Sequence, residues 1–398
     1  MHAFMRRNFG LAYVILVSLG AFALSCVHSI GVPYLEHFGL SKIECSRMNE
    51  ICHLAMLLAC IPAGVFADMY GRKTICLAAN IILALGALVY GLSSTMLGFG
   101  LAEATLGLGF ALGGCAFQAW VVDKHMMEKS DYSHTIMMTF IVGGASRIFG
   151  SFFGAQMASL HISLPWFAIT FFMTVATILT FFWMEEVRSD KRLIARSLRK
   201  TLGHAGSVLV QGFSHALSHS ATRFIFLMCG LQLLAFKGSD MQWAPYFQSF
   251  GLSQGYLGVV GALICTATAT GSLAAKYIGK RSTLSEKARL STLSFFIGSS
   301  LVLAGLGAGR LLVAGLSFFL HQVFRGWWST TASIALNAHI PSNTRATILS
   351  AYTMFSVMTS MMGLEFGGQI AERCSIPSAW IVGGLTLVVG SFFLYRRR

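Results

Sequence analysis

The sequence predicts an all-α membrane protein with twelve transmembrane helices in two pseudo-symmetric six-helix bundles. Hydrophobic residues make up 55% of the 398 residues, charged residues make up 11%, and the mean hydropathy is +0.68. A soluble globular domain has a far more polar composition than this. Twelve apolar stretches are long enough to cross a bilayer, and a short motif near the end of the second stretch recurs near the end of the eighth. These observations predict two related halves of six helices each.

The twelve stretches follow one another with short turns between most of them. A hydrocarbon core about 30 Å thick requires about 20 predominantly apolar residues in an α-helix. Spans 1 to 12 are predicted at residues 9–36, 44–67, 74–94, 96–122, 135–159, 164–184, 223–248, 254–278, 289–308, 310–338, 345–371 and 377–395. The turns leave almost no residues over for a soluble domain.

The distribution of basic residues predicts the orientation. If both termini are cytoplasmic, 22 of the 29 Lys and Arg residues face the cytoplasm, four face outside and three lie within spans. Basic residues near the ends of spans are retained on the cytoplasmic side during insertion. We therefore expect a multi-pass membrane protein with both termini in the cytoplasm.

The net charge of +14 reflects the basic residues that this orientation places in the cytoplasmic loops. Anionic lipid headgroups are therefore the expected partners of the basic loops, and nucleic acid is not. The sequence contains neither Gly-x-x-x-x-Gly-Lys-Ser/Thr nor Gly-x-Ser-x-Gly, so ATP hydrolysis and a serine nucleophile have no support. We expect no enzyme activity, no cofactor and no metal site.

The most informative motif begins at Gly64 and reads Gly-Val-Phe-Ala-Asp-Met-Tyr-Gly-Arg-Lys up to Lys73. Its place after span 2 and its residues resemble the signature loop of the major facilitator superfamily, roughly Gly-x-Leu-Ala-Asp-Arg-x-Gly-Arg-Lys. Gly64 is expected to let two helix backbones approach, Asp68 to place a carboxylate at the membrane edge, and Gly71 to form a tight turn. Arg72 and Lys73 would hold that turn in the cytoplasm.

A degenerate copy of the motif at residues 271–281 ends span 8. The resemblance implies two parallel six-helix halves around a central cavity, which is the major facilitator fold. We place the N-terminal bundle at residues 1–184 and the C-terminal bundle at residues 223–398. Between them, residues 185–222 carry basic and apolar side chains on opposite helical faces, which predicts a cytoplasmic linker with an interfacial amphipathic helix.

Two further stretches extend the resemblance, at residues 113–123 and 337–350. Both resemble a bacterial subset of the superfamily whose members are mostly taken to be exporters of drugs or metabolites. The resemblance implies a conformational latch in which Asp68 faces the start of helix 11 and alternating charges lock one state. The matching charges here are Asp68, Arg72, Asp123 and Arg345; four ordinary interfacial charges are the alternative. The Gly-Pro signature of proton-coupled antiporters is missing from span 5, which puts antiport in doubt.

Charged side chains inside the spans are the candidates for substrate binding or ion coupling, because each costs at least about 2.5 to 3.5 kcal/mol at the bilayer centre. Lys237 and Asp240 are three residues apart and could form a private ion pair. Arg325, beside His321 and Gln322, would line the cavity or pair with a buried acid. The role of Arg147 is open between cavity and helix packing.

The acids Glu103 and Glu365 are the candidates for carrying a proton, with a neutral or paired buried acid as the alternative. If Asp240 neutralises Lys237, the guanidinium groups of Arg147 and Arg325 remain, which would favour a substrate with a carboxylate.

The sequence thus predicts a monomeric secondary active transporter that exports a small organic molecule by alternating access. Protons, or another ion, would drive it. An importer or facilitator of an organic anion is the alternative within the same class. A membrane sensor that has lost transport is the alternative from another class.

Overall fold

The computed structural model describes residues 4–5, 8–186, 210, 213–214, 216, 218–278, 283–340 and 345–396. It is helical along nearly all of these ranges. We number the long helices by the predicted spans to which they correspond. They are α1 Phe9–Ser25, α2 Lys42–Tyr70, α3 Arg72–Leu92, α4 Met96–Met127, α5 Ser133–Leu160, α6 Leu164–Trp183, α7 Ser220–Gln248, α8 Gln254–Tyr277, α9 Glu286–Leu306, α10 Leu311–His339, α11 Arg345–Arg373 and α12 Ile376–Arg396.

These helices confirm the twelve predicted spans, with changed ends. Span 1 is interrupted: α1 ends at Ser25, and after a turn a short helix, Gly31–His37, follows. Within the described residues, eight helices are long and apolar enough to cross a membrane by length and composition. Helix α1 falls short with 17 residues. The remaining three, α2, α10 and α11, carry charged and polar side chains in their interiors, and two of them line the cavity described below.

Contacts divide the chain into two compact units. The first unit lies within Met1–Tyr34, Met48–Ala205 and Ser253–Ala262. The second unit lies within Leu35–Arg47, Gly206–Leu252 and Leu263–Arg398. Most of each unit comes from one half of the chain. The exact boundaries of the linker predicted at residues 185–222 stay a prediction, because most of that segment lies outside the described residues.

Helix packing repeats between the two halves of the chain. The packed pairs α1–α5, α3–α4 and α3–α6 have the counterparts α7–α11, α9–α10 and α9–α12, each six spans later. This repetition confirms the predicted pseudo-symmetry. Glycine makes the closest approaches possible: a Cβ at Gly154 of α5 would overlap the carbonyl oxygen of Cys26, and a Cβ at Gly363 of α11 would overlap that of Leu233. Small residues let membrane helices pack backbone to backbone.

Many large apolar side chains point away from the packed interior. Leu58, Phe140, Leu160 and Leu312 are among the most exposed. Such a surface is unfavourable in water at about 25 cal/mol per Å² of apolar area. Hydrocarbon covers it without that cost, which agrees with helices that cross a bilayer.

Candidate functional site

A cavity of about 320 Å³ lies within the second unit, between α7, α8, α10 and α11. Its wall combines polar and aromatic side chains, and Arg325 and Gln322 provide its most polar part. The full lining is Cys229, Gln232, Leu233, Phe236, Thr268, Gln322, Arg325, Trp328, Ser329, Tyr352 and Ser356. A concave site of this size, mainly apolar with a few convergent polar groups, is typical of small-molecule binding.

Arg325 is held by two hydrogen bonds to Asp240 of α7. Its Nη1 donates to Asp240 Oδ1, and its Nη2 donates to Asp240 Oδ2 at 3.0 Å. Nη1 also donates to Gln322 Oε1 at 3.1 Å. Two parallel bonds between guanidinium and carboxylate fix both groups in one plane. Gln322 and Arg325 are three residues apart, so they lie on one face of α10.

Lys237 takes a secondary place in this cluster. Its Nζ lies 3.9 Å from Asp240 Oδ2, which is an ion pair without a hydrogen bond. The predicted pair is therefore present, but the expectation that it is private to Lys237 and Asp240 is wrong. Asp240 accepts its two hydrogen bonds from Arg325, because the planar guanidinium fits the carboxylate better than a single ammonium group does.

Aromatic groups fix the position of the cluster. The guanidinium carbon of Arg325 lies 3.9 Å from the centre of the Phe236 ring. His321 is buried one turn away on α10, where it stacks on Phe318 with ring centroids 5.7 Å apart. Its Nδ1 is 3.0 Å from the carbonyl oxygen of Ile297, so this nitrogen carries the proton and donates. His321 thus packs beside the cluster, with its ring 5.9 Å from that of Phe236. It is not among the residues that line the cavity.

Glu103 of α4 lies in the first unit and is 9% exposed. The hydroxyl of Tyr90 donates to its Oε1 at 3.2 Å, and the thiol of Cys52 is its other hydrogen-bond partner. The Tyr90 ring stacks on Trp166 at 3.7 Å between centroids. No Lys, Arg or His forms an ion pair with Glu103 in the part of the chain that the structure describes.

Neither Glu365 nor Arg147 belongs to the lining of the cavity. Glu365 of α11 accepts two hydrogen bonds from Arg47, at 3.1 and 3.3 Å, and one from Gln369 at 2.7 Å. Arg147 of α5 has an exposed side chain and no ion pair to any described residue. The sequence analysis named both as site candidates together with Arg325, but only Arg325 lines the cavity.

Two of the four charges assigned to the predicted latch form an ion pair, and the latch itself stays a prediction. Gly71 has a φ of 96°, a left-handed conformation that favours glycine, so it makes the expected tight turn between α2 and α3. Arg72 Nε lies 3.4 Å from Asp123 Oδ2, which joins the start of α3 to the end of α4. Around Gly64, no described atom lies within 4 Å of the position of a Cβ, so the expected close helix approach is not found among the described residues.

Two acids just after the end of α6 join this network. Glu186 accepts hydrogen bonds from the backbone amides of Lys73 and Thr74 at 3.1 and 3.2 Å. Glu185 pairs with Lys124 at 2.8 Å. The sequence analysis missed both acids, because nothing in the spacing relates Glu185 to Lys124, 61 positions earlier, or Glu186 to a turn more than 100 positions earlier. The side chains of Asp68 and Arg345 lie outside the described part, so their roles stay predictions.

Sequence reasoning also missed much of the cavity wall, although a signal for it exists. Cys229, Gln232, Phe236 and Asp240 recur at intervals of three or four along α7 and therefore share one helical face. Polar residues on one face of a membrane helix indicate a surface that avoids lipid. Such stripes identify which face of a helix lines a cavity, but not which helices meet there.

Comparison with known families agrees with this architecture. The profile of the Major Facilitator Superfamily matches residues 14–364. The chain belongs to the major facilitator superfamily. It therefore belongs to a family of multi-pass membrane transporters.

Solved structures of superfamily transporters share the fold at low sequence identity. The nucleoside transporter NupG has a TM-score of 0.81 at 11% identity, covering 98% of this chain and 100% of that chain. The human organic anion transporter MFSD10 has 0.69 at 16%, covering 98% and 99%. A bacterial homologue of the human lysosomal transporter Spinster, in an inward-facing and unoccupied conformation, has 0.72 at 14%, covering 98% and 95%.

A curated relative matches over a short stretch only. The human facilitated glucose transporter member 10 of solute carrier family 2 is 30% identical over 95 residues. This stretch is 24% of the present chain and spans 18% of the relative's length. It is a local similarity.

Proposed function

We propose that this superfamily member is a secondary active transporter that moves a small organic molecule by alternating access, and that protons drive it. The observation that carries the proposal is the cavity around Arg325, a charged group within membrane-spanning helices. A charge at that depth is costly, by at least about 2.5 kcal/mol, and is characteristic of a substrate or ion pathway. We place the protein in the bacterial inner membrane as a monomer, with cytoplasmic termini and basic loops on anionic lipid.

Proton coupling is supported by the surroundings of Glu103. Acids that carry protons in membrane transporters must be able to exist in both charged and neutral form. Glu103 is bonded by a hydroxyl and a thiol, neither of which is charged. Glu365, by contrast, is held as a carboxylate by Arg47. We therefore assign the proton to Glu103 and not to Glu365.

The direction of transport rests on the resemblance of residues 113–123 and 337–350 to exporters. Uptake of an organic anion is the second candidate, and the positive charge in the cavity supports it. The name of one structural neighbour, an organic anion transporter, points to the same substrate class. Net flux of a solute in either direction would support transport. Ligand binding without flux in either direction would instead identify a membrane sensor.

The proposal is tested with purified protein in proteoliposomes under an imposed pH gradient. Solutes are first selected by the thermal shift that they cause, and their flux is then followed in both directions. We expect accumulation driven by the gradient. Glu103→Gln should retain counterflow but lose accumulation, because the amide cannot release a proton. Glu365→Gln is the matched control and should still accumulate the solute. Accumulation by Glu103→Gln would contradict the assignment of the proton.

A further inference from the structure

The cluster beside the cavity contains one more cation than anions. Arg325 and Lys237 both pair with the single carboxylate of Asp240. No other acid among the described residues forms an ion pair with either of them. His321, the further ionisable group on the adjacent turn of α10, donates from Nδ1 to a backbone carbonyl. With a neutral imidazole, the cluster carries a formal charge of +1, which is unfavourable inside a membrane protein unless an anion balances it.

The bonds of Arg325 leave one edge of its guanidinium available. The group has five N–H donors in a plane. The end formed by Nη1 and Nη2 is used for Asp240, and the second N–H of Nη1 for Gln322. The two remaining N–H groups, on Nε and Nη2, point in the same direction along the side edge. This edge has the geometry that accepts a second carboxylate through two parallel bonds.

The rest of the lining does not balance this charge. No acid lines the cavity among the described residues, and its other polar side chains are amides, hydroxyls and a thiol. These groups carry no negative charge that could face the guanidinium of Arg325. An acidic group on the ligand therefore complements the wall.

The remaining wall limits the body of the ligand. Phe236, Leu233 and Trp328 are apolar or aromatic. A volume of about 320 Å³ lies at the lower end of the range of about 300 to 1,000 Å³ for small-molecule pockets. A molecule with one ring and a single acidic group suits both the volume and the excess charge of one.

We propose that the cavity binds a small monocarboxylate with a flat apolar body, and that its carboxylate occupies the Nε–Nη2 edge of Arg325. Two cations then face two carboxylates, Asp240 and that of the ligand. Asp240 is a positioning residue, because it fixes the plane of the guanidinium. Lys237 balances the second negative charge. This substrate class rests on the proposed function of the cavity as the substrate site.

The charge of the cavity can be measured without knowing the ligand, because Cys229 lies in its wall. A variant with Cys229 as its single cysteine is treated with an anionic sulfonatoethyl and a cationic trimethylammonioethyl methanethiosulfonate. A second variant that keeps only Cys374, which is exposed, is the control for intrinsic reactivity. The ratio of the two rates cancels any effect on thiol ionisation. We expect this ratio to favour the anion by at least about tenfold at Cys229 relative to Cys374.

Binding is tested in detergent with three probes of similar shape: benzoate, benzamide and benzylammonium. We expect benzoate alone to protect Cys229 from modification. Arg325→Lys keeps the positive charge but loses the Nε–Nη2 edge that would bind the carboxylate. Protection should therefore need at least about tenfold more benzoate. Lys237→Gln should weaken protection similarly. Arg310→Gln, in the turn before α10, is the charge-matched control and should leave protection unchanged.

The outcomes separate this inference from the proposed function. Equal rates for the two reagents, or protection by benzylammonium or benzamide but not benzoate, would overturn the carboxylate assignment even if the vesicles transport solutes. No protection by benzoate would overturn it as well. Protection by benzoate that depends on Arg325, with no flux of any solute in vesicles, would leave the binding inference standing and remove the transport proposal.

Discussion

At the scale of single residues, the start of α3 shows how one acid organises a turn. The first backbone amides of a helix have no partner within the helix, and the helix dipole makes this end partly positive. Glu186 accepts from two of these amides, those of Lys73 and Thr74. A Cβ at Gly71 would overlap the Glu186 carboxylate. Only glycine therefore permits both the left-handed turn and the approach of the acid.

We predict that Glu186→Ala lowers the stability of the purified protein by about 0.5 to 1 kcal/mol, as loss of a helix cap does. The change should appear as a lower midpoint of thermal unfolding in detergent. Glu128→Ala is the control. Glu128 is an exposed acid at the C-terminal end of α4, where the helix dipole does not stabilise a negative charge. Equal midpoints for both variants would contradict the capping role.

The partner of Asp240 shows which contacts a sequence can reveal. Lys237 is three residues away on the same helix, so their pairing was predictable from helical geometry alone. Arg325 is 85 positions away, and its contact depends on how α7 packs against α10. The sequence identified all three charges as candidates because charges are rare in spans. It could not assign the carboxylate to one cation, because the bidentate geometry exists only in three dimensions.

At the scale of elements, close helix contact depends on which glycine faces the neighbour. Helix α5 contains Gly143, Gly144, Gly150 and Gly154, and the sequence does not distinguish among them. In the fold, Gly150 and Gly154 face the backbone of the α1 end, whereas nothing lies within 4 Å of a Cβ at Gly144. The four residues are not equivalent, because the face of α5 that packs on α1 includes only some of them.

We predict that Gly154→Ala destabilises the first unit by roughly 1 to 3 kcal/mol, since the added methyl group overlaps the carbonyl of Cys26 and forces the backbones apart. Gly144→Ala adds the same methyl group to the same helix and should be neutral or slightly stabilising, because alanine favours helix over glycine. The unfolding midpoints of the two variants in one detergent decide the matter. A loss of stability in Gly144→Ala equal to that in Gly154→Ala would contradict this packing.

The helices that depart most from simple apolar spans are informative. Within the described residues, helices α10 and α11 are not among the eight apolar spans, and both contribute to the cavity wall. Polar residues lower the hydropathy of these helices. Such residues are tolerated in a span because they face other protein groups rather than lipid. The span count was still predictable, since length and turns mark each element. The break in span 1 was not, because its apolar residues continue through the turn after Ser25.

At the scale of the whole molecule, the backbone repeats while the chemistry does not. Helix α7 occupies the place in its half that α1 occupies in the other. Helix α7 carries Lys237 and Asp240, whereas α1 contains no charged residue. The motif at residues 271–281 likewise replaces the acid Asp68 by Ala275. Symmetric packing therefore carries an asymmetric set of ionisable groups, with the charged cavity in the second unit and the buried Glu103 in the first.

The orientation in the membrane is a property of the whole chain, and we predict it from the 22 basic residues assigned to one side. Variants with a single cysteine report it when intact cells are treated with a membrane-impermeant maleimide. Ser94→Cys, in the turn between α3 and α4, and the natural Cys374, in the turn between α11 and α12, should react on intact cells. Glu128→Cys, between α4 and α5, should react only after permeabilisation. All three positions are exposed, so burial cannot explain a difference between them.

Ser94 and Glu128 are separated by α4 alone, which is 32 residues long. A helix of this length rises about 48 Å, more than the roughly 30 Å of the hydrocarbon core. The two positions must therefore lie on opposite sides if α4 spans the membrane. Reaction of both on intact cells would contradict the span, and reaction of Glu128→Cys alone would invert the orientation. In the inverted case the Arg72–Asp123 network would face outward, and the basic loops would lie on the side from which the positive-inside rule excludes them.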